Sequence, residues 1–269
     1  MASKEILKKI KKIDINSKIL SEHLLIGKYH SKFKGKGLEF SNIRKYTPGD
    51  DIRAIDWKIS KKLQKTYIKE FMEERELSIY FLIDISNSNI LQNRREYIAE
   101  IVGTIANSAI ENGDKIGAYL FTNKIEKILK IGNSKKHLLA ILDDILTYKS
   151  KNRDTNIKNS INEFLSLKLK KGVVFLISDF YDENYEKEIK VLSKKHELIL
   201  IRVFNKSFEN LDKNIVYRFI DSETNQEILY KNNNENFDIK LNFNNYIELE
   251  VGENYIPKLI KLFNYRGRK

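Results

Sequence analysis

Apolar and polar positions change rhythm several times along the chain, and each rhythm predicts an element. From Leu77 to Ile83 the residues are almost all apolar, the pattern of a strand buried on both faces, and the run ends in Asp84-Ile85-Ser86-Asn87-Ser88. Ile98, Ile101, Val102, Ile105 and Ala109 then recur at helical spacing, which predicts a helix from about Asn93 to Asn112 with Gly113 as its stop. Strands are expected at 115–121 and 125–130. Ser134 is placed to cap a helix carrying Leu138, Ile141, Leu142 and Ile145, and Thr155 or Asn156 to cap another carrying Ile157, Ile161, Phe164 and Leu165. A second buried strand runs from Gly172 to Asp179, a helix follows near 184–194, and Glu197 to Phe204 reads as a further strand. Strands and helices alternating through short connections predict an α/β domain, a mostly parallel sheet with helices on both faces.

The flanks read differently. Apolar residues at 6, 7, 10, 13, 15, 19 and 20 lie among lysines, which predicts a basic amphipathic helix over Glu5 to Leu20. Residues 26–58 hold Gly27, Gly35, Gly37 and Gly49, and Pro48 sets a turn before Gly49-Asp50-Asp51, so a loop or hairpin segment is expected there. Beyond Asn205 the pattern weakens. Residues 231–245 contain seven asparagines and read as loop with a poor helix, then Tyr246 to Val251 alternates as a strand and Tyr255 to Phe263 forms a short helix. The expected organisation is an N-terminal segment, 1–76, followed by the α/β domain, 77–269.

At 41% hydrophobic residues the 269-residue chain can build a core despite its 32% charged content. Its net charge of +12 raises the question of nucleic acid. Residues 1–36 carry ten lysines against three acids and the last five residues add three more positive charges, so the remainder is close to balanced. A duplex-binding face needs a basic stripe on the folded core, and this distribution suits basic arms better. Nucleic-acid binding is therefore disfavoured, while peripheral contact of the N-terminal helix with an anionic membrane stays open. No cysteine is present, which excludes disulfides and thiolate chemistry, and the four histidines show no paired metal-ligand spacing. No apolar run reaches the roughly 18 residues of a membrane span and the start lacks a secretory apolar core, so a cytoplasmic location is expected.

Asp84 and Asp179 each close an apolar strand, and parallel strands would bring both carboxylates to the edge where open α/β sheets bind ligands. Two like charges about 5 Å apart at an effective dielectric near 20 repel by roughly 3 kcal/mol. A proton on one of them relieves that repulsion, as does a divalent cation using Ser86, Ser88 and Thr155 as neutral oxygen ligands. The hydroxyls favour a cation, and oxygen-only ligands suit Mg²⁺ or Mn²⁺. The plainer alternative is that Asp84 and Thr155 cap helices and Asp179 sits on a turn. A separate cluster, Asp50-Asp51-Ile52-Arg53-Ala54-Ile55-Asp56-Trp57, reads as a self-satisfied ion-pair segment in which Arg53 bridges two carboxylates over buried Trp57 and Tyr46, or else as a binding surface.

The series Asp84-x-Ser86-x-Ser88, then Thr155, then Asp179 resembles the metal-ion-dependent adhesion site of von Willebrand factor A domains. Gly35-Lys36-Gly37-Leu38-Glu39-Phe40, Arg44-Lys45-Tyr46, Pro48-Gly49-Asp50-Asp51-Ile52-Arg53 and Ile55-Asp56-Trp57 resemble the signature of a bacterial family known as domain of unknown function 58. Gly113-Asp114-Lys115-Ile116-Gly117, Phe121-Thr122 and Ile177-Ser178-Asp179-Phe180 extend the resemblance. It implies a von Willebrand factor A-like, Rossmann-like fold in which Ser86, Ser88 and Thr155 contact the metal, Asp84 and Asp179 act through water, and a partner's acidic group completes the shell. Asn89 departs from the Met that many relatives carry, which concerns packing. Many relatives also have membrane helices ahead of this region, and that property is not transferred. Relatives are commonly encoded beside MoxR-type AAA+ ATPases, which implies that class of partner.

The leading expectation is thus a non-enzymatic protein-interaction module that captures a partner carboxylate through a bound divalent cation, as adaptor or client of a MoxR-type AAA+ ATPase. The rival is a Mg- or Mn-dependent phosphoester hydrolase using Asp84 and Asp179. It lacks a P-loop, a Gly-x-Ser-x-Gly elbow and any histidine near the proposed ligands in sequence.

Overall fold

In the computed structural model the chain is described at Asn16, Lys18 and Ile19 and over residues 38–73, 76–86, 94–152, 154–205, 216–220, 227–231 and 245–266. It divides into two compact units, residues 29–76 and residues 1–28 together with 77–269.

In the smaller unit β1 (Leu38–Lys45) pairs antiparallel with β2 (Tyr67–Glu73), and between them lie a 3₁₀ turn (Ile52–Ala54) and helix α1 (Trp57–Leu63). Asp56 caps α1 by accepting from the backbone N–H groups of Lys58 at 3.0 Å and Ile59 at 3.1 Å. Of the loop or hairpin expected over 26–58, residues 38–58 hold β1, the 3₁₀ turn and the start of α1, and residues 26–37 lie outside the described residues. The ion-pair cluster differs from expectation. The arginine that forks a carboxylate is Arg44, which reaches both oxygens of Asp50 at 2.7 and 2.8 Å, while Arg53 is exposed and pairs with Asp51 at 3.3 Å. Hydrogen bonds from Arg44, reinforced by Thr47, hold the Asp50 carboxyl well below the usual carboxylate range. Trp57 is 69% exposed rather than buried, and among the described residues of this unit Ile68 and Ser60 are buried.

The larger unit is built on six strands: β3 (Ser78–Asp84), β4 (Lys115–Phe121), β5 (Ile125–Gly132), β6 (Val173–Ser178), β7 (Glu197–Phe204) and β10 (Tyr246–Glu250), ordered β10-β7-β6-β3-β4-β5. All neighbouring pairs are parallel except β4 with β5, so β5 is an antiparallel edge strand. Strands β8 (Val216–Ile220) and β9 (Glu227–Lys231) form a separate antiparallel pair. The helices are α2 (Arg94–Glu111), α3 (Lys135–Thr147), α4 (Ile157–Ser166), α5 (Glu186–Lys195) and α6 (Ile256–Arg266). This mostly parallel sheet flanked by helices agrees with the Rossmann-like, von Willebrand factor A-type fold expected.

Alternation along the strands sends their side chains to two apolar layers. Tyr80, Leu82, Tyr119, Val174 and Leu176 meet Ile157, Ile161 and Phe164 of α4 and Ile189 and Leu192 of α5. On the other layer Phe81 stacks on Phe175 at 5.4 Å, and Phe175 meets Phe263 of α6 edge-on. Helix α2 packs with α3 and is tied to the start of α6 by a 2.9 Å hydrogen bond between Thr104 and the Tyr255 hydroxyl. Helix α2 stops where Gly113 takes φ +80°, allowing its N–H to bond Ile110 O and that of Asp114 to bond Ala109 O. Ser134 and Asn156 cap α3 and α4 through the N–H groups of His137 and Asn159. Of the N-terminal helix expected over 5–20, Asn16, Lys18 and Ile19 are helical and the Asn16 amide donates to Tyr255 at 3.0 Å; the rest, like most of the asparagine-rich stretch, lies outside the described residues. Among the described residues no helix is long and apolar enough to cross a membrane.

Candidate functional site

From β3 the chain crosses through α2 to β4 on one side and later returns as β6 on the other, so the order of strands reverses between β3 and β6. Ile83 pairs with Ile177, which sets Asp84 level with Ser178 and puts Asp179 one residue further out on the same edge. Both carboxylates are buried, at 0% and 3% exposure. Asp84 accepts from the Ser86 N–H at 2.9 Å through one oxygen and from the Ser178 hydroxyl at 2.7 Å through the other. Asp179 accepts from Arg94 Nη1 at 2.7 Å and from the Tyr181 N–H at 3.1 Å. Ser178 therefore bridges the two strand ends, and Arg94, the first residue of α2, supplies a positive charge to them.

Two further arginines brace this edge. Arg202 on β7 donates from Nε to the Asp179 carbonyl, pairs with Glu248 on β10 at 3.1 Å, reaches the Tyr181 hydroxyl, and lies against the rings of Tyr181 and Phe204. Arg95 donates to the carbonyls of Ile85 and Tyr148 at 2.8 and 2.6 Å. Phe180, fully buried beside Asp179, holds φ +61°, a conformation that for a non-glycine stores on the order of 1–3 kcal/mol of strain. Its N–H is satisfied by Ser178 Oγ at 3.0 Å, so the strained residue is locked by the same hydroxyl that donates to Asp84.

Burial, followed by the charge of Asp179, pushes the Asp84 carboxyl up to about 6, against the opposing pull of Arg94 and of the bonds from Ser86 and Ser178. The folded state thus binds the proton more tightly than the unfolded chain does. Any stability from this group is complete below the unfolded value near 3.8 and is lost as pH rises through about 6. Asp84→Asn cannot ionise, so between pH 4 and pH 7 the parent should lose about 2 kcal/mol relative to the variant in paired urea titrations. A constant difference between the two across that window would contradict the assignment.

The remaining expected ligands are placed less uniformly. The Ser86 side chain is buried next to Asp84. Thr155 lies at the same edge of the sheet, because the N–H of Asn156 bonds Thr122 O at the end of β4 and that of Ile157 bonds Asp182 Oδ2 at 2.6 Å. Thr155 itself makes no hydrogen bond among the described residues, and Ser88 lies outside them.

The family profile described as "Protein of unknown function DUF58" matches residues 42–245. The chain belongs to this family. Among curated relatives, "Uncharacterized protein Rv1480" of Mycobacterium tuberculosis is 20% identical over 203 residues, 73% of this chain and 64% of its own length. This chain thus spans just under two thirds of that relative. "Uncharacterized protein YeaD" of Bacillus subtilis is 30% identical over 77 residues, 29% of this chain and 18% of its own. Among solved structures, "conserved hypothetical protein BatB" from Bacteroides thetaiotaomicron is similar over 72% of this chain and all of its own at a TM-score of 0.50 and 13% identity, a likeness of fold alone.

As arranged in this DUF58 chain, the residues do not fit a divalent ion held on Asp179. Asp179 Oδ2 already carries the Arg94 guanidinium and Oδ1 accepts from the Tyr181 N–H, with the Arg94 and Asp179 side chains only 7% and 4% exposed. Among the described residues no group of three or more His, Cys, Asp or Glu side chains could hold a metal. Arg94, Ser178 and Arg202 are the site residues that sequence reasoning missed. One signal was available for Arg94: two arginines in the first turn of a helix oppose its dipole, which favours acids there, and such a placement points to a tertiary role.

Proposed function

We propose that this DUF58 chain is a non-enzymatic protein-interaction module whose docking face is the carboxyl edge of the central sheet, and that it serves a MoxR-type AAA+ ATPase as adaptor or client. The observation that supports the face is the buried network of Asp84, Ser178, Asp179 and Arg94 at the switch point. Burying a charge pair is weak evidence of stability, since apolar residues of similar volume often serve as well, so its placement at the position where open α/β sheets bind is best read as functional. The partner class comes from the family resemblance.

A hydrolytic reading finds less support. His196 stands immediately before β7 and His137 bonds Ile116 O near the start of β4, so both described histidines lie at the opposite edge from the two carboxylates. Among the described residues that leaves no imidazole there to serve as general acid or base.

The test is capture of the purified full-length chain by the cognate ATPase. Thr155→Arg with Glu183→Arg, both on the carboxyl edge, should weaken capture at least about tenfold. Lys171→Glu, at the opposite edge, should leave it unchanged. Equal capture by all three proteins would remove the proposed face.

A further inference from the structure

We propose that the Arg94 guanidinium is the resident cation of the Asp84–Asp179 site, so that a divalent ion reaches Asp179 only by displacing it. The three arginines of this edge differ in how fully they are used. Arg202 employs Nε, Nη1 and Nη2, on Asp179 O, Glu248 and the Tyr181 hydroxyl, and lies against two rings as well. Arg95 employs two nitrogens on backbone carbonyls. Arg94 is buried to 6% exposure yet employs one nitrogen, on Asp179; its Nε and Nη2 are buried without a hydrogen-bond partner among the described residues. A side chain kept for packing or for a saturated hydrogen-bond network would not sit this way. Its evident contribution is positive charge at one carboxylate oxygen.

Charge counting makes the two cations alternatives. Asp84 and Asp179 supply two negative charges, and Arg94 neutralises one of them. A divalent ion balances both alone. Added beside Arg94, it would leave one uncompensated positive charge in a place closed to water, where an unpaired charge is strongly disfavoured. Arg95 is directed to the Ile85 and Tyr148 carbonyls, and Arg202 to Glu248, so neither stands in for Arg94 on the Asp179 carboxylate.

The experiment uses the metal alone, on the full chain with no partner, so its outcome is independent of the docking face proposed above. Mn²⁺ binding is followed by electron paramagnetic resonance titration, with Mg²⁺-dependent thermal shift beside it, for the parent, Arg94→Gln and Arg94→Gln/Asp179→Asn. The parent should bind Mn²⁺ with a millimolar or weaker Kd. Arg94→Gln should bind at least about tenfold more tightly and gain a saturable thermal shift, and the added Asp179→Asn change should abolish both. Micromolar binding by the parent overturns the proposal whether or not the variants fold, and so does a folded Arg94→Gln that binds no better than the parent.

Discussion

Asp179→Ala should lower folding stability by about 3 to 5 kcal/mol, the range for breaking a buried ion pair from one side. The loss would arise from what is left behind. Arg94 Nη1 spends its bond on Asp179 Oδ2 at 2.7 Å with both side chains buried, and the other two guanidinium nitrogens have no partner among the described residues to fall back on. Removing the carboxylate leaves a buried positive charge without its hydrogen-bonded counter-ion. Replacing both partners, as Arg94→Met with Asp179→Leu, should recover most of the loss, because apolar residues of similar volume often match a buried pair. Urea unfolding followed by circular dichroism measures both. A single-variant loss within about 0.5 kcal/mol, typical of a surface position, would mean that the pair is solvated and the site is open.

Gly172→Ala should also be severely destabilising, through backbone rather than charge. A Cβ at residue 172 would stand 2.1 Å from the Ser78 carbonyl oxygen and 2.9 Å from Tyr80 Cε2. Ser78 opens β3 and Gly172 leads into β6, so the clash falls where the two strands that carry the acids come together. Tyr80 has little freedom to yield. Its hydroxyl is bonded to Lys170 O at 2.9 Å and its ring is wedged among Tyr119, Phe164 and His196. Overpacking costs about 1–3 kcal/mol where side chains can adjust, and a clash with backbone belongs at or above the top of that range. At about 2–4 °C per kcal/mol, Tm should fall by about 6 to 12 °C. A variant melting within about 2 °C of the parent would show that β3 and β6 are spaced more widely than described.

The central strands were legible because parallel strands buried on both faces are written as unbroken apolar runs, and the segment from Glu197 to Phe204 coincides with β7 end to end. Caps were legible for a similar reason: Ser134 and Asn156 each precede an apolar stripe at helical spacing. Strand β2 was missed since Tyr67-Ile68-Lys69-Glu70-Phe71-Met72-Glu73 does not alternate cleanly, and nothing local distinguished β5 as antiparallel. Trp57 was expected inside because large aromatics usually are, whereas here Ile68 takes a buried place in that unit. At the site, the meeting of Asp84 with the end of β6 followed from two strand ends in a parallel sheet. The counter-charge did not. Whether Arg94 faces the strand ends depends on how the first turn of α2 lies over them, which is a matter of packing that spacing along the chain does not encode.

The most direct measurement is a crystal structure of the full chain grown with manganese, with anomalous data collected at the metal edge. The account requires the Arg94 guanidinium within hydrogen-bond distance of Asp179, Ser178 bridging to Asp84, and no anomalous peak between the two carboxylates. A manganese ion seated on Asp84, Ser86 and Asp179 with Arg94 still in contact with Asp179 would contradict it.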